Sequence, residues 1–177
     1  VAVVGARRAI AQMGSYELTL LRWVVPVVLG VGSLYPDASV GAQDGYVFGF
    51  GPRWFVLTPW GAAAFLLFFI SGLVESNRTP FDVPEGESEI VAGHMIEYSG
   101  MSFAMFFLAE YANMWLVSIL AVVMFLCGCL SPVGFLDFIP GWIWLGAKTF
   151  GGVSLFLWLR STFARFRYDQ LMRHVWM

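Results

Sequence analysis

The sequence predicts an all-α fold, a polytopic bundle of transmembrane helices, and three observations carry that prediction. Hydrophobic residues fill 59% of the 177 positions and charged residues only 12%, where a soluble domain has about a quarter charged. Apolar runs recur four times, each near the ~20 residues that a helix needs to cross a bilayer. Basic residues also fall unevenly when connections are placed on alternate sides. Arg7, Arg8, Arg78, Arg160, Arg165, Arg167 and Arg173 gather on one side and Arg53 stands opposite. By the positive-inside rule, both chain ends and the second connection then face the cytoplasm or matrix. We expect a single membrane domain over 1–177.

Each element follows in order. Arg7 and Arg8 precede a first span at 9–32, which is interrupted by Glu17 and Arg22. Five helical residues set those two about 140° apart, so they do not pair as i and i+4 neighbours do, and each needs another partner. Ser33 to Arg53 is rich in Gly, Pro and Asp and reads as a long external connection. The second span, 54–77, is uncharged from Trp54 to Val74, with Pro59 near its start, where a helix tolerates proline. The third span, 101–127, carries Glu110 followed by Asn113, and its phenylalanines and methionines read as packing residues. Pro132 and Pro140 bracket a short turn around Asp137. The fourth span, 142–160, is crossed by Lys148, and the basic, aromatic inner tail at 160–177 suits a membrane interface. No signal-peptide pattern opens the chain, and because its first residue is Val1 we expect further sequence upstream.

Between the second and third spans lies an acidic inner loop, 78–100. From Glu75 to Glu97 the chain places six of its 12 acids against the single Arg78. Such a segment cannot lie in lipid, where each uncompensated charge costs about 2.5–3.5 kcal/mol even on the mild insertion scale. Thr79-Pro80 and Val83-Pro84 force extended geometry, so a helix should stop near Asn77. Pro84 followed by Glu85, Glu87 and Glu89 suits a new helix start. The plain reading of this charge is a solvated, acid-capped helix. The functional one is a moving coupler, since carboxylates crowded between prolines change their mutual repulsion with each proton gained or lost.

Glu17, Glu110 and Lys148 lie inside spans, and Glu75 at the inner end of one. An intramembrane carboxylate points to a proton relay or the wall of a hydrated cavity, with charge pairing across helices as the structural alternative. A permanent positive charge suits pairing better, so Arg22 and Lys148 read as counter-ions. Cys127 and Cys129 sit in an apolar run and read as a buried pair of small side chains, neither disulfide nor metal site. No phosphate-binding loop, dinucleotide fingerprint or metal-spaced His or Cys cluster is present.

Several long stretches carry a resemblance. ESNRTPFDVPEGESEIVAGHMIEYSGMSFAMFFLAEYANM, from Glu75 to Met114, closely resembles the signature loop and following helix of the membrane subunit 1 family of respiratory complex I, the proton-pumping NADH:quinone oxidoreductase. GARRAIAQMGSYEL resembles the family's segment leading into its fourth helix, and FARFRYDQLM the stretch before its last helix. Ser33 to Arg53 and Leu130 to Gly141 match poorly. Gly14 stands where the family has a larger apolar residue, which should loosen packing near Glu17, and Ala164 stands where proline is usual, which should change only a turn.

The resemblance implies a central piece corresponding to the family's fourth through seventh helices, without the first three or the last. A split, organelle-encoded gene or an incompletely assigned chain would explain that, and the mitochondrial inner membrane is the expected location, with the bacterial plasma membrane as alternative. It also implies roles. Glu17, Glu75, Glu97 and Glu110 would form the proton relay, with Tyr16 beside them at the quinone cavity. Arg78, Asp82, Glu85, Glu87 and Glu89 would form the coupling loop below that cavity. Arg160, Arg165, Arg167 and Asp169 would contact neighbouring subunits. Quinone would be the substrate of the complex, with NADH, FMN and iron–sulfur clusters on partner subunits and neither metal nor redox centre on this chain. Implied partners are the hydrophilic subunits of the quinone site, neighbouring small membrane subunits, chains supplying the missing helices, and the lipid bilayer, with no nucleic acid. The equivalent component of a membrane-bound hydrogenase-type complex is the alternative within the superfamily, and a passive anchor for a soluble arm the alternative outside it.

Overall fold

A computed structural model describes residues 2–47, 51–76, 98–162, 170 and 173. Helix α1 runs over Ala2–Val31 and starts earlier than the expected 9–32, because no proline interrupts the run before Ala9 and the same hydrogen-bond ladder takes Arg7 and Arg8 into the helix. Pro26 lies inside it, so the carbonyl of Arg22 loses its usual N–H partner. Gly32, at φ 74, ends the helix in the left-handed conformation.

The connection that reads as irregular is instead ordered. Helix α2, Pro36–Ala42, starts with proline in its first turn beside Asp37, both favourable at a helix N-terminus. Strands β1, Tyr46–Val47, and β2, Gly51–Pro52, pair antiparallel, with Tyr46 opposite Pro52 and Val47 opposite Gly51. A 3-10 turn at Phe55–Leu57 follows. That turn takes up the start of the expected second span, so α3 covers only Pro59–Glu75, 17 residues. Its start is fixed by Thr58, whose Oγ1 accepts the Gly61 N–H at 3.2 Å, with Pro59 in the first helical position.

Helix α4 spans Met101–Phe125 and stops before the expected Cys127. Cys127 at φ 61 and Gly128 at φ 48 both turn left-handed, which ends the ladder and reverses the chain. Helix α5, Gly141–Thr162, completes the series. By length and composition α1, α4 and residues Gly141–Leu159 of α5 can each cross a membrane, and α3 is a shorter apolar helix. The fold is therefore an all-α, multi-pass membrane bundle.

The chain packs as two compact units. The first comprises residues 1–20, 70–114 and 156–177, the second 21–69 and 115–155. Tyr16, Leu73, Val74, Met114 and Phe156 are buried in the first. In the second, the fully buried Phe125 packs its ring edge-on against Phe65 at 5.6 Å and tilted against Phe68 at 5.7 Å. A Cβ on Gly152 would meet Ser118 at 3.4 Å, so glycine lets α5 approach α4 closely there.

Two expectations need correction. Cys127 is buried but Cys129 is exposed, both as free thiols, because the left-handed turn at Gly128 sends the two side chains to different surroundings. The phenylalanines and methionines of α4 pack only in part. Met114 and Phe125 are buried, while Met101, Phe103 and Met105 are exposed, as a helix apolar on all sides must show when one stripe meets its neighbours. At Gly14 a Cβ would meet nothing within 4 Å, so a larger residue fits the space that glycine leaves there.

Candidate functional site

The first unit collects three of the expected relay acids. Glu17 lies on α1, Glu75 is the last residue of α3, and Glu110 lies on α4. Glu75 and Glu110 are half-buried, whereas Glu17 is exposed on this chain. The carboxylates of Glu17 and Glu75 are close enough to act on one another electrostatically. Glu75 Oε2 is buried without a hydrogen-bond partner among the described residues. An oxygen so placed is costly unless a water, a proton or another group completes it. Tyr16, one residue before Glu17, is 6% exposed and belongs to the same core.

Around Glu75 the main chain is held closely. Gln12, fully buried, donates its Nε2–H to the Val74 carbonyl at 2.8 Å. Asn113 donates from Nδ2 to the Glu75 carbonyl at 3.5 Å. Asn113 lies one helical turn from Glu110 on α4, so both fall on one face of that helix. An acid that can gain and lose a proton, fixed at a helix end beside a second acid, has the composition a proton relay needs.

The second unit arranges its polar groups differently. Lys148 Nζ donates to the carbonyls of Leu126 at 2.8 Å, Gly128 at 3.1 Å and Leu130 at 2.7 Å. Its ammonium also lies 5.0 Å from the Trp54 ring centroid, within cation–π range. All three of its donors are used. The expected counter-ion role is thus replaced by a clasp on the chain reversal after α4. Gln43 is a second clasp. It donates to the Ser39 and Met124 carbonyls at 3.1 and 2.9 Å, and its Oε1 accepts the Phe55 N–H at 3.2 Å. One side chain therefore joins α2, the end of α4 and the turn before α3. Arg22 is exposed and lies over the Trp23 ring at 5.6 Å. A cavity of about 10 Å³, lined by Gln43, Asp44, Trp54, Cys127 and Ser131 among others, has room for about one water. Ser131 Oγ donates to Asp137 Oδ1 in the connection that follows.

Glu97, Arg78, Asp82, Glu85, Glu87, Glu89, Arg165, Arg167 and Asp169 lie outside the described residues, and Arg160 is described only as part of α5. Among the described residues no three His, Cys, Asp or Glu side chains group as a metal ion requires. Sequence reasoning passes over Gln12 and Gln43. The available signal is an amide within an apolar run, which must find partners once buried.

A family profile described as NADH dehydrogenase matches residues 1–177. The H-type subunit of NADH-quinone oxidoreductase from a Polaromonas species is 57% identical over 183 residues, covering 99% of this chain and 50% of the relative. The protein of the same name from Methylibium petroleiphilum is also 57% identical over 183 residues, covering 99% and 51%. That from an Acidovorax species is 55% identical over 181 residues, covering 99% and 49%. The chain spans about half the length of these curated relatives. On the whole-length profile match and these identities, the chain belongs to the NADH dehydrogenase family.

Proposed function

We propose that this chain forms a proton-relay part of the quinone-reducing membrane subunit in a proton-translocating NADH:quinone oxidoreductase. The observation that carries the reading is the placement of Glu17, Glu75 and Glu110 on three helices of one packed unit in a member of this family. Within apolar helices such acids are costly and are kept for charge movement. A carboxylate can accept a proton on one oxygen and release it from the other, and Glu75 offers a buried Oε2 for that purpose. Tyr16, Glu97 and the loop acids Asp82, Glu85, Glu87 and Glu89 with Arg78 belong to the same proposal, as cavity wall and moving coupler. Arg160, Arg165, Arg167 and Asp169 are proposed subunit contacts.

Quinone is the proposed substrate of the assembled enzyme, with NADH, FMN and iron–sulfur chemistry on other subunits. This chain's own part is to hold and pass protons. Exposed Glu17 would be too costly against lipid, so further protein of the complex should cover that face of α1. The relatives are named as NADH-quinone oxidoreductase components, which favours quinone chemistry over a hydrogenase-type complex. Their bacterial sources favour the plasma membrane over the mitochondrial inner membrane, with the acidic loop and both chain ends on the cytoplasmic side.

The test is Glu17→Gln and Glu110→Gln in the assembled complex, in sealed membrane vesicles. Each keeps the side chain's shape and removes its titration. Proton translocation should fall while the amount of complex holds. Normal quinone reduction with normal translocation in both variants would instead leave a membrane anchor.

A further inference from the structure

Of the last four main-chain carbonyls of α3, Gly72 to Glu75, the first is reached by an ordinary ladder bond, and among the described residues the other three take side-chain donors. All four are taken up within the first unit. Ser76 donates its N–H to Gly72 at 3.0 Å and its hydroxyl to Leu73 at 3.0 Å. The next carbonyl, Val74, receives Gln12 from α1 at 2.8 Å. The last, Glu75, receives Asn113 from α4 at 3.5 Å. Gln12, Val74 and Ser76 are all essentially without solvent exposure. So the carbonyl of the residue bearing the buried carboxylate oxygen and the carbonyl just before it each receive an amide from another helix, the closer bond being the one from Gln12.

Those amides have a chemical property that suits the place. Gln and Asn donate without carrying charge and do not titrate. A lysine or arginine would also reach a carbonyl, but would bring a positive charge beside the Glu17 and Glu75 carboxylates and hold them ionised. We propose that Gln12 and Asn113 are positioning residues for Glu75, fixing its backbone so that its carboxyl keeps its distance from Glu17 through each change of protonation. Gln12, with the shorter bond and full burial, bears more of the task. The inference rests on the reading of Glu75 as a relay acid.

The test uses the assembled complex in sealed vesicles and reads protons translocated per electron pair, not the rate alone. Gln12→Met keeps length and loses the donor. It should lower the proton yield by about threefold to tenfold, the effect of one lost hydrogen bond, with Asn113→Leu lowering it less. Gln12→Met combined with Glu75→Gln should be no worse than Glu75→Gln by itself, since residues acting through one group are not additive. Should Gln12→Met not assemble, Asn113→Leu carries the same comparison. A normal proton yield in Gln12→Met and Asn113→Leu with a depressed one in Glu75→Gln would overturn the positioning role and leave the relay reading standing. Losses that multiply in the double variant would overturn it equally. A normal yield in Glu75→Gln would overturn the relay reading and this inference with it.

Discussion

Lys148 and Glu75 are both ionisable groups in apolar helices, one in each packed unit, and their surroundings differ in kind. The lysine spends all three donors on carbonyls of Leu126, Gly128 and Leu130. The glutamate keeps Oε2 buried and without a hydrogen-bond partner among the described residues, within electrostatic reach of Glu17. Hydrogen bonding closes around the first group and stays open around the second. A closed set fixes structure, because each donor would be left stranded by movement. An open one is costly to keep and is retained where a proton must come and go. One exception is Trp144 in the second unit, whose Nε1 is also buried without a partner among the described residues. An indole N–H does not titrate, so it does not offer the same chemistry.

The largest effect should come from breaking the closed side of this contrast. Lys148→Met strands three carbonyls, each at about 1–3 kcal/mol if it finds no water. We expect the complex to fall sharply in amount, measured as assembled enzyme in membranes, with the surviving molecules translocating protons normally. A smaller loss of the same kind should follow Gly61→Ala. Its Cβ would lie 1.8 Å from the Phe55 carbonyl oxygen, and main-chain atoms cannot step aside cheaply, so a thermal-stability assay should show a loss of about 1–3 kcal/mol. The smallest effect sharpens the geometry without disturbing it. A membrane-impermeant maleimide added from the outer face should label exposed Cys129 and spare buried Cys127, with stability unchanged. Equal labelling of both would mean that the turn after α4 does not close as described.

The helices are legible in the sequence because membrane spans are apolar on all sides and long, a signal that single residues cannot obscure. Their ends are less so. Thr58 and the left-handed pair Cys127 and Gly128 set the ends of α3 and α4, through local hydrogen bonds and dihedral angles that hydropathy does not record. The connection before α3 reads as irregular because its order depends on Gln43 reaching the Met124 carbonyl, 81 positions away. Lys148 reads as a counter-ion because sequence shows that a buried charge needs partners without showing whether they are carboxylates or carbonyls. Glu17, Glu75 and Glu110 can be found from their cost in an apolar run, whereas the uncharged amide of Gln12 gives a weaker signal and shows its partner only with the bond to Val74 in view.

The open carboxylate at the end of α3 should move protons and not hold the fold. The most direct test of that division is Glu75→Gln in the assembled complex, measuring proton translocation and amount of complex side by side. Translocation should fall by roughly tenfold or more, as loss of a positioned proton-transfer group implies, with unchanged assembly. Full translocation, or loss of the complex to the extent expected for Lys148→Met, would contradict it.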